Sequence, residues 1–141
     1  GYKYSFQNTN FPTLKIVPSI GEPTITIICY GEVLYDLELA VRRSLIELEI
    51  LVDIICPLQI SPVDISYISD SLQRTENLII IEEGNTEAAW GSEVIAKLVE
   101  KKSVIKKLVR YGNNGIIPSS IKAENSVLPN EKNIFKIISS F

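Results

Sequence analysis

Apolar residues form four short runs that predict the strands of a buried sheet. The runs cover residues 24–30, 50–56, 78–82 and 104–109, and isoleucine, with 23 copies, dominates the apolar set. Consecutive β-branched residues favour strands buried on both faces, which is typical of a parallel sheet. Lysines interrupt the last run, so we expect this strand to lie at an edge of the sheet.

Between these runs, apolar residues recur every three or four positions, which predicts helices that cross over the sheet. The first predicted helix follows Gly31, and the last covers residues 130–139. A second helix is predicted to begin with Ser61 as its N-cap and Pro62 in its first turn. A third begins near Trp90.

Alternating strands and helices predict an α/β fold, a three-layer α/β/α sandwich with a mostly parallel sheet of about five strands. Residues 1–22, rich in Asn, Thr, Pro and aromatic side chains, predict an extended strap or linker ahead of a domain over residues 23–141. Residues 111–129 predict a long irregular segment. Such segments often carry an interface or a function.

Composition limits the chemistry of the chain. Its 141 residues suit one domain, and they include no histidine and no methionine. The absence of histidine excludes Ser-His and Cys-His nucleophile pairs and imidazole metal sites, so any chemistry would rest on carboxylates, Lys, Tyr or Cys. Because natural reading frames begin with methionine, we expect this chain to be an excised piece of a longer polypeptide.

The charge and the hydropathy pattern argue against two classes of partner. A net charge of −3 gives no basic face for nucleic acid. The chain lacks both a signal peptide and an apolar run of about 20 residues, so no membrane partner is predicted. Cys29 and Cys56 each end an apolar run and are interpreted as reduced, buried side chains.

In an open α/β sheet, ligands bind beyond the carboxyl ends of the strands. Two candidate segments lie there, residues 30–32 and 82–87, and neither contains a phosphate-binding glycine loop. Glu82, Glu83 and Glu87 resemble a carboxylate acid/base or hard-metal site. Adjacent strand residues point to opposite faces, however, so we expect this cluster to hold the loop or to meet a partner.

Two further features each have two interpretations. Trp90 is either an interface residue or a half-buried aromatic that closes the edge of the core. The basic stretch is either a solvated face, which is the favoured interpretation, or a surface that docks an acidic protein. It consists of Lys97, Lys101, Lys102, Lys106, Lys107 and Arg110.

Several motifs resemble those of the transketolase C-terminal domain family. A hydrophobic strand followed by Glu-Glu-Gly spans residues 78–84, and Trp-Gly-Ser-Glu-Val-Ile-Ala spans 90–96. Within that superfamily, the chain is most similar to the beta subunit of thiamine-diphosphate-dependent 2-oxo acid dehydrogenases. Supporting motifs are Thr-Ile-Thr-Ile-Ile-Cys-Tyr-Gly at 24–31, Pro-Val-Asp-Ile at 62–65, Ile-Pro-Ser-Ser at 117–120 and Leu-Pro-Asn at 128–130.

The sequence departs from the family's motifs at two places that bear on the substrate subclass. Ala88-Ala89 replaces a pair of glycines usual in the family, and the region around residues 56–58 lacks the common Asp-Leu-Arg. The resemblance runs from residue 23 to residue 141, so residues 1–22 match only weakly.

The resemblance implies a non-catalytic role in a larger enzyme. The family's thiamine diphosphate, Mg²⁺ and catalytic residues belong to preceding domains, so no catalytic, cofactor-binding or metal-binding residue is predicted here. The implied partners are the chain's own upstream domains or an alpha subunit, copies in a homodimer or heterotetramer, and the subunit-binding domain of the acyltransferase core. The implied location is the bacterial cytoplasm or an organellar matrix.

The candidate interface residues are Glu83, Asn85, Trp90, Pro118 and Ser119. One rival interpretation is the C-terminal domain of a transketolase or a deoxyxylulose-phosphate synthase. Another is a freestanding flavodoxin-like module that binds a small anion at the loops around Gly31 and Gly84.

Overall fold

The computed structural model describes residues 1–141 and contains one six-stranded sheet with helices on both faces. The sheet order is β1-β2-β4-β3-β5-β6; the last four strands are parallel, and the first two are antiparallel additions at one edge. The elements are β1 (Tyr2–Phe6), β2 (Thr13–Pro18), β3 (Ile25–Ile28), α1 (Val33–Leu48), β4 (Val52–Pro57), α2 (Ser66–Thr75), β5 (Asn77–Asn85), α3 (Trp90–Glu100), β6 (Lys107–Asn113), α4 (Ile121–Val127) and α5 (Glu131–Ile138).

The sheet divides the core into two layers, and the central strand β3 contributes to both. Ile27 packs into a cluster with α1 and α5, whereas its neighbour Ile28 packs into a second cluster with α2 and α3. Both side chains are fully buried. Because successive strand residues point to opposite faces, an unbroken isoleucine run supplies both layers. The predicted three-layer sandwich and mostly parallel sheet are confirmed.

The sheet has six strands where about five were predicted, because residues 1–22 contribute two of them. They contain the β1–β2 hairpin, and β2 pairs with β4. Ile16 of β2 is only 1% exposed and joins the core cluster beneath α1. Burying this side chain favours docking of the segment on the edge of β4. The predicted edge position of β6 is confirmed.

The prediction that α2 begins at Ser61 and Pro62 is wrong, because the helix begins at Ser66. The Asp64 carboxylate accepts a hydrogen bond from the Ser66 backbone N–H at 2.9 Å and another from the Gln7 side chain at 3.0 Å. These bonds, led by that from the Ser66 backbone, lower the pKa of Asp64. Asp64 therefore supplies the local partner that Ser61 was expected to provide.

The last helix, α5, matches the helix predicted over residues 130–139 more closely. The Asn130 side chain caps α5 by accepting a hydrogen bond from the Asn133 backbone N–H at 3.1 Å. The segment 111–129, which was predicted to be irregular, contains regular secondary structure, because β6 continues to Asn113 and α4 lies within it. The sequence of α4 lacks the apolar stripe that predicts a helix, and none of its residues is buried in the structure.

A buried polar cluster joins the sheet to α2 near the amino ends of β3 and β4. The Asp53 carboxylate, with no exposed surface, accepts hydrogen bonds from the Ser71 hydroxyl at 2.7 Å and from Arg74 at 2.5 Å. The Thr26 hydroxyl lies 2.7 Å from that of Ser71 and 2.6 Å from that of Thr75. Asp53 Oδ1 has no hydrogen-bond partner.

Candidate functional site

The main crevice lies at the carboxyl ends of β3 and β5, where the chain order of the sheet reverses. The connection through α1 carries the chain from β3 to β4, and the connection through α2 returns it across β3 to β5. Ligands of open α/β sheets bind at such a switch point. A pocket of about 350 Å³ opens here, lined by Glu32, Val33, Tyr35, Asp36, Glu83, Asn125, Leu128, Pro129 and Asn130.

The lining of this crevice pocket is acidic. Glu32, Asp36 and Glu83 contribute carboxylates, and the lining contains no lysine or arginine. Gly31 adopts a φ of +72°, which favours glycine, and lies close to Glu83. The three carboxylates do not form a cluster that could hold a metal ion. The pocket thus suits a cationic group and disfavours a phosphate.

Glu82 and Glu83 point to opposite faces of the sheet, as predicted. Glu82 is 1% exposed, and its Oε1 accepts a hydrogen bond from the Gly91 backbone N–H at 3.0 Å. Its Oε2 lies 3.6 Å from Arg110 Nη2. Arg110 also donates to the Thr86 carbonyl oxygen, so Glu82 connects β5, α3 and β6. Glu82 and Glu83 do not form a carboxylate pair for acid/base chemistry.

Trp90 closes the edge of the core layer formed with α2 and α3. Its indole N–H donates to the Ile60 carbonyl oxygen at 3.0 Å, and its ring packs edge-on against Tyr30 with centroids 5.1 Å apart. Burial raises the pKa of Tyr30, and the charges of Glu82 and Glu83 add to that effect. Trp90 is half-buried, and these contacts support its interpretation as an aromatic at the core edge.

The other candidate interface residues are dispersed. Asn85 lines a separate polar pocket of about 150 Å³, together with Thr86, Glu87, Asn113 and Asn114. Pro118 is half-buried and Ser119 is exposed, in a segment that also exposes Ile116 and Ile121. Only Glu83 lines the crevice pocket. The structure therefore does not bring the five residues into one site, and their interface role remains a prediction.

Most side chains of the basic stretch have local partners. Lys97 lies 3.9 Å from Glu93, and Lys106 pairs with Glu76. Lys107 donates to the Ser140 carbonyl oxygen at 2.8 Å and lies over the Phe141 ring. Lys106 and Lys107 are exposed and Lys97 is half-buried, and their local pairs agree with a solvated face.

Cys29 directly follows β3, Cys56 lies on the neighbouring strand β4, and both are free thiols. Both are buried in the same core cluster, which confirms the sequence interpretation. A hydrogen bond between the two thiols and burial raise the pKa of Cys29. The same bond lowers the pKa of Cys56.

Sequence reasoning identified Glu32 but missed several residues of the crevice. Asp36 lies four residues after Glu32 on α1, and this helical spacing was an available signal. Asn125 reaches the pocket from α4, and Asn130 reaches it from the N-cap position ahead of α5. Their contribution depends on the path of the segment after β6, which no periodic pattern predicts.

The crevice does not fit thiamine diphosphate. A diphosphate requires cationic side chains, a bound cation or a cradle of backbone N–H groups. The crevice instead presents the carboxylates of Glu32, Asp36 and Glu83. No step of a thiamine-dependent reaction is therefore assigned to the residues of this chain.

Residues 15–134 match the family described as "Transketolase, C-terminal domain". The chain therefore belongs to the transketolase C-terminal domain family. Two curated relatives are the pyruvate dehydrogenase E1 component subunit beta of two Staphylococcus epidermidis strains, each 28% identical over 114 residues. The alignment covers 79% of this chain and 35% of each relative, so the chain spans about a third of their length.

Solved structures show the same fold. A split-gene transketolase, described as an inactive beta4 tetramer, has a TM-score of 0.74 at 18% identity, covering 89% of this chain and 41% of that chain. A 2-oxoglutarate:ferredoxin oxidoreductase from Magnetococcus marinus has a TM-score of 0.62 at 14% identity, covering 94% and 19%. None of the five helices combines the length and the hydrophobicity that a membrane-spanning helix requires.

Proposed function

We propose that this chain is the C-terminal, non-catalytic domain of the beta component of a thiamine-dependent 2-oxo acid dehydrogenase. That enzyme decarboxylates a 2-oxo acid and transfers the acyl group to lipoate. The similarity to the pyruvate dehydrogenase beta subunit over 114 residues supports this class. In the whole enzyme, thiamine diphosphate and Mg²⁺ bind to other domains, in the bacterial cytoplasm or an organellar matrix.

The acidic crevice is the observation that carries the proposed role in assembly and docking. Glu32, Asp36 and Glu83 face an open pocket whose lining has no compensating cation. A lysine or arginine of a partner would supply that charge and steer association. The proposed partners are the upstream domains or alpha subunit, copies of the beta component, and the subunit-binding domain of the acyltransferase.

The test uses the natural polypeptide that contains this chain, purified with its associated subunits. The double variant Asp36→Asn and Glu83→Gln should weaken binding of the acyltransferase subunit-binding domain about tenfold, as expected when about 1.4 kcal/mol is lost. Decarboxylation measured with an artificial electron acceptor should stay unchanged. The control variant Glu47→Gln alters an exposed carboxylate of α1 outside the crevice lining.

Two results would contradict this proposal. Loss of decarboxylation in an intact complex would place a catalytic group in this domain. Turnover of a 2-oxo acid by residues 1–141 alone, with thiamine diphosphate and Mg²⁺ added, would have the same meaning.

A transketolase is the second candidate, because the split-gene transketolase shares the fold with a TM-score of 0.74. Ketol transfer between sugar phosphates by the natural polypeptide, without 2-oxo acid decarboxylation, would favour it. The small-anion module is disfavoured because Glu32 and Glu83 lie where the anion would bind. Saturable binding of a nucleotide or flavin by the chain alone would favour that module.

A further inference from the structure

The connection that follows β6 contains the sequence Asn113-Asn114-Gly115. Asn114 is the only asparagine of the chain that is followed by glycine. Asn114 and Gly115 are both exposed, and neither belongs to a helix or a strand. Asparagine is a thermolabile residue, and its side-chain amide can react with the main-chain nitrogen of the next residue. Glycine favours this reaction because it has no side chain to hinder the approach and leaves the backbone free to turn.

The Gly115 nitrogen is available for such a reaction. The main chain of Gly115 forms no hydrogen bond to another main-chain group. Its N–H donates to the Asn113 side-chain oxygen over 3.3 Å, and its carbonyl oxygen accepts from the Asn113 side-chain amide at 2.7 Å. No ladder or helical hydrogen bond therefore has to break before this nitrogen approaches the Asn114 side chain.

The side-chain carbonyl of Asn114 is polarised by a hydrogen bond. The Thr86 hydroxyl donates to Asn114 Oδ1 at 2.8 Å. Attack of a nucleophile on Cγ develops negative charge on Oδ1, and a donor already aimed at that oxygen stabilises the charge. Thr86 is itself held in place, because its N–H donates to the Asn113 carbonyl oxygen at 3.3 Å and its own carbonyl oxygen accepts from Arg110.

We propose that Asn114 is a site of spontaneous covalent modification, at which the Gly115 nitrogen attacks Asn114 Cγ while the Thr86 hydroxyl stabilises the charge on Oδ1. The new bond from nitrogen to Cγ closes a succinimide ring. The bond from Cγ to Nδ2 breaks, and the departing amide leaves as ammonia with the proton of the Gly115 nitrogen. Water then opens the ring at either of its carbonyls, which gives aspartate or isoaspartate. Water is the only co-reactant, and no group is oxidised or reduced.

The modification changes both the charge and the length of this connection. The new carboxylate joins Glu87 in the polar pocket that both residues line, and the two like charges repel each other. Isoaspartate also lengthens the main chain between β6 and α4, and α4 carries Asn125 to the crevice pocket. The product therefore differs from the unmodified chain in the segment that leads to the crevice. This inference does not rest on the proposed function.

The first test follows the natural polypeptide during prolonged incubation at neutral and mildly alkaline pH. Peptide mass spectrometry should show the small mass gain that results when OH replaces NH₂ at Asn114, and fragmentation should identify isoaspartate beside aspartate. The rate should rise with pH, because the attacking nitrogen must lose its proton. Asn113 is an internal control that should remain an amide, because it is buried and its side chain is held by two hydrogen bonds to Gly115.

Two variants provide the second test. Gly115→Ala keeps Asn114, and the added Cβ meets nothing within 4 Å, so the fold should be retained. The methyl group restricts the backbone beside the attacking nitrogen and should slow the reaction about tenfold. Thr86→Val removes the hydroxyl and should slow the reaction about threefold in the folded protein, a modest effect because the contact is exposed. In denaturant, where the contact is absent, Thr86→Val should react at the wild-type rate.

Four results would overturn the proposal. An amide that persists at Asn114 would exclude the reaction, and aspartate without isoaspartate would indicate direct hydrolysis in place of the ring. Equal rates for Gly115→Ala and the wild type would exclude attack by this nitrogen. An unchanged or faster reaction in folded Thr86→Val would exclude the role given to the hydroxyl. Altered decarboxylation or partner binding would bear on the proposed function and not on this chemistry.

Discussion

The Gly91 backbone N–H donates to the buried Glu82 carboxylate across 3.0 Å and thereby fixes the first turn of α3 against β5. A Cβ atom on Gly91 would lie 2.7 Å from Glu82 Oε2 and 2.9 Å from Ile80 Cγ2. These distances leave no room for a side chain. The glycine is therefore required by the close approach of the helix and the strand.

Gly91→Ala should destabilise the protein by about 1–3 kcal/mol, because overpacking displaces the helix or the Glu82 carboxylate. The matched control is Gly84→Ala on β5, where an added Cβ meets nothing within 4 Å. Its free energy of unfolding should stay within about 0.5 kcal/mol of the wild type. Denaturant titration measures both values, and equal losses would contradict the packing argument.

Glu82→Ala should cost about 1–3 kcal/mol, because it leaves the Gly91 N–H without its acceptor and Arg110 without its ion-pair partner. Glu82→Gln retains an acceptor oxygen and should be less harmful. The comparison of the two unfolding free energies separates the hydrogen bond from side-chain removal. Equal stability of Glu82→Ala and the wild type would refute the role given to this carboxylate.

The Arg74–Asp53 pair should contribute more than an exposed ion pair. Arg74→Gln leaves the Asp53 carboxylate buried with the Ser71 hydroxyl as its remaining donor, and should cost about 1–3 kcal/mol. Glu47→Gln removes only an exposed ion pair with Arg43 on α1 and should cost at most about 0.5 kcal/mol. Thermal and denaturant unfolding of both variants would test this order, and a larger loss at Glu47 would reverse it.

Asp64 should make part of the stability dependent on pH. Its folded pKa is lowered from the ordinary value of 3.8, chiefly by the Ser66 backbone N–H. A lowered folded pKa stabilises the protein above the unfolded pKa, and this stabilisation is lost as the pH falls through the folded value. Because the Asp64 carboxylate is exposed and screened by solvent, Asp64→Ala should cost no more than about 1 kcal/mol at pH 7 and progressively less below about pH 4.

Unfolding titrations at pH 7 and pH 3 would measure this difference. Asp64→Asn keeps an oxygen acceptor for Ser66 and serves as the control without charge. An Asp64→Ala effect that is equal at both pH values would exclude the carboxylate charge as its origin.

The parallel sheet was predictable because its strands are uninterrupted apolar runs, as at Ile79, Ile80 and Ile81. The hairpin was less evident, because Leu14 and Ile16 alternate with polar residues over a short stretch that loop-forming residues surround. Their burial depends on β4, which follows about 40 residues later in the chain. Local patterns carry little information about such distant pairing.

The crevice was predictable in position but not in composition. The rule for open α/β sheets indicated the segments near Glu32 and Glu83. Asn125 and Asn130 come from a part of the chain whose path is determined by tertiary packing. The start of α2 was wrong because Ser-Pro resembles a helix start, whereas Asp64 forms the bond that precedes the helix.

The Thr26 hydroxyl has a consequence for the alignment of β3. This strand reads Ile-Thr-Ile-Ile, so a slip by one residue would exchange similar side chains between the two faces of the sheet at little hydrophobic cost. The slip would, however, move the Thr26 hydroxyl away from Ser71 and Thr75 and bring an isoleucine beside Asp53. A single buried hydroxyl thus specifies the register of a strand whose other residues are nearly interchangeable.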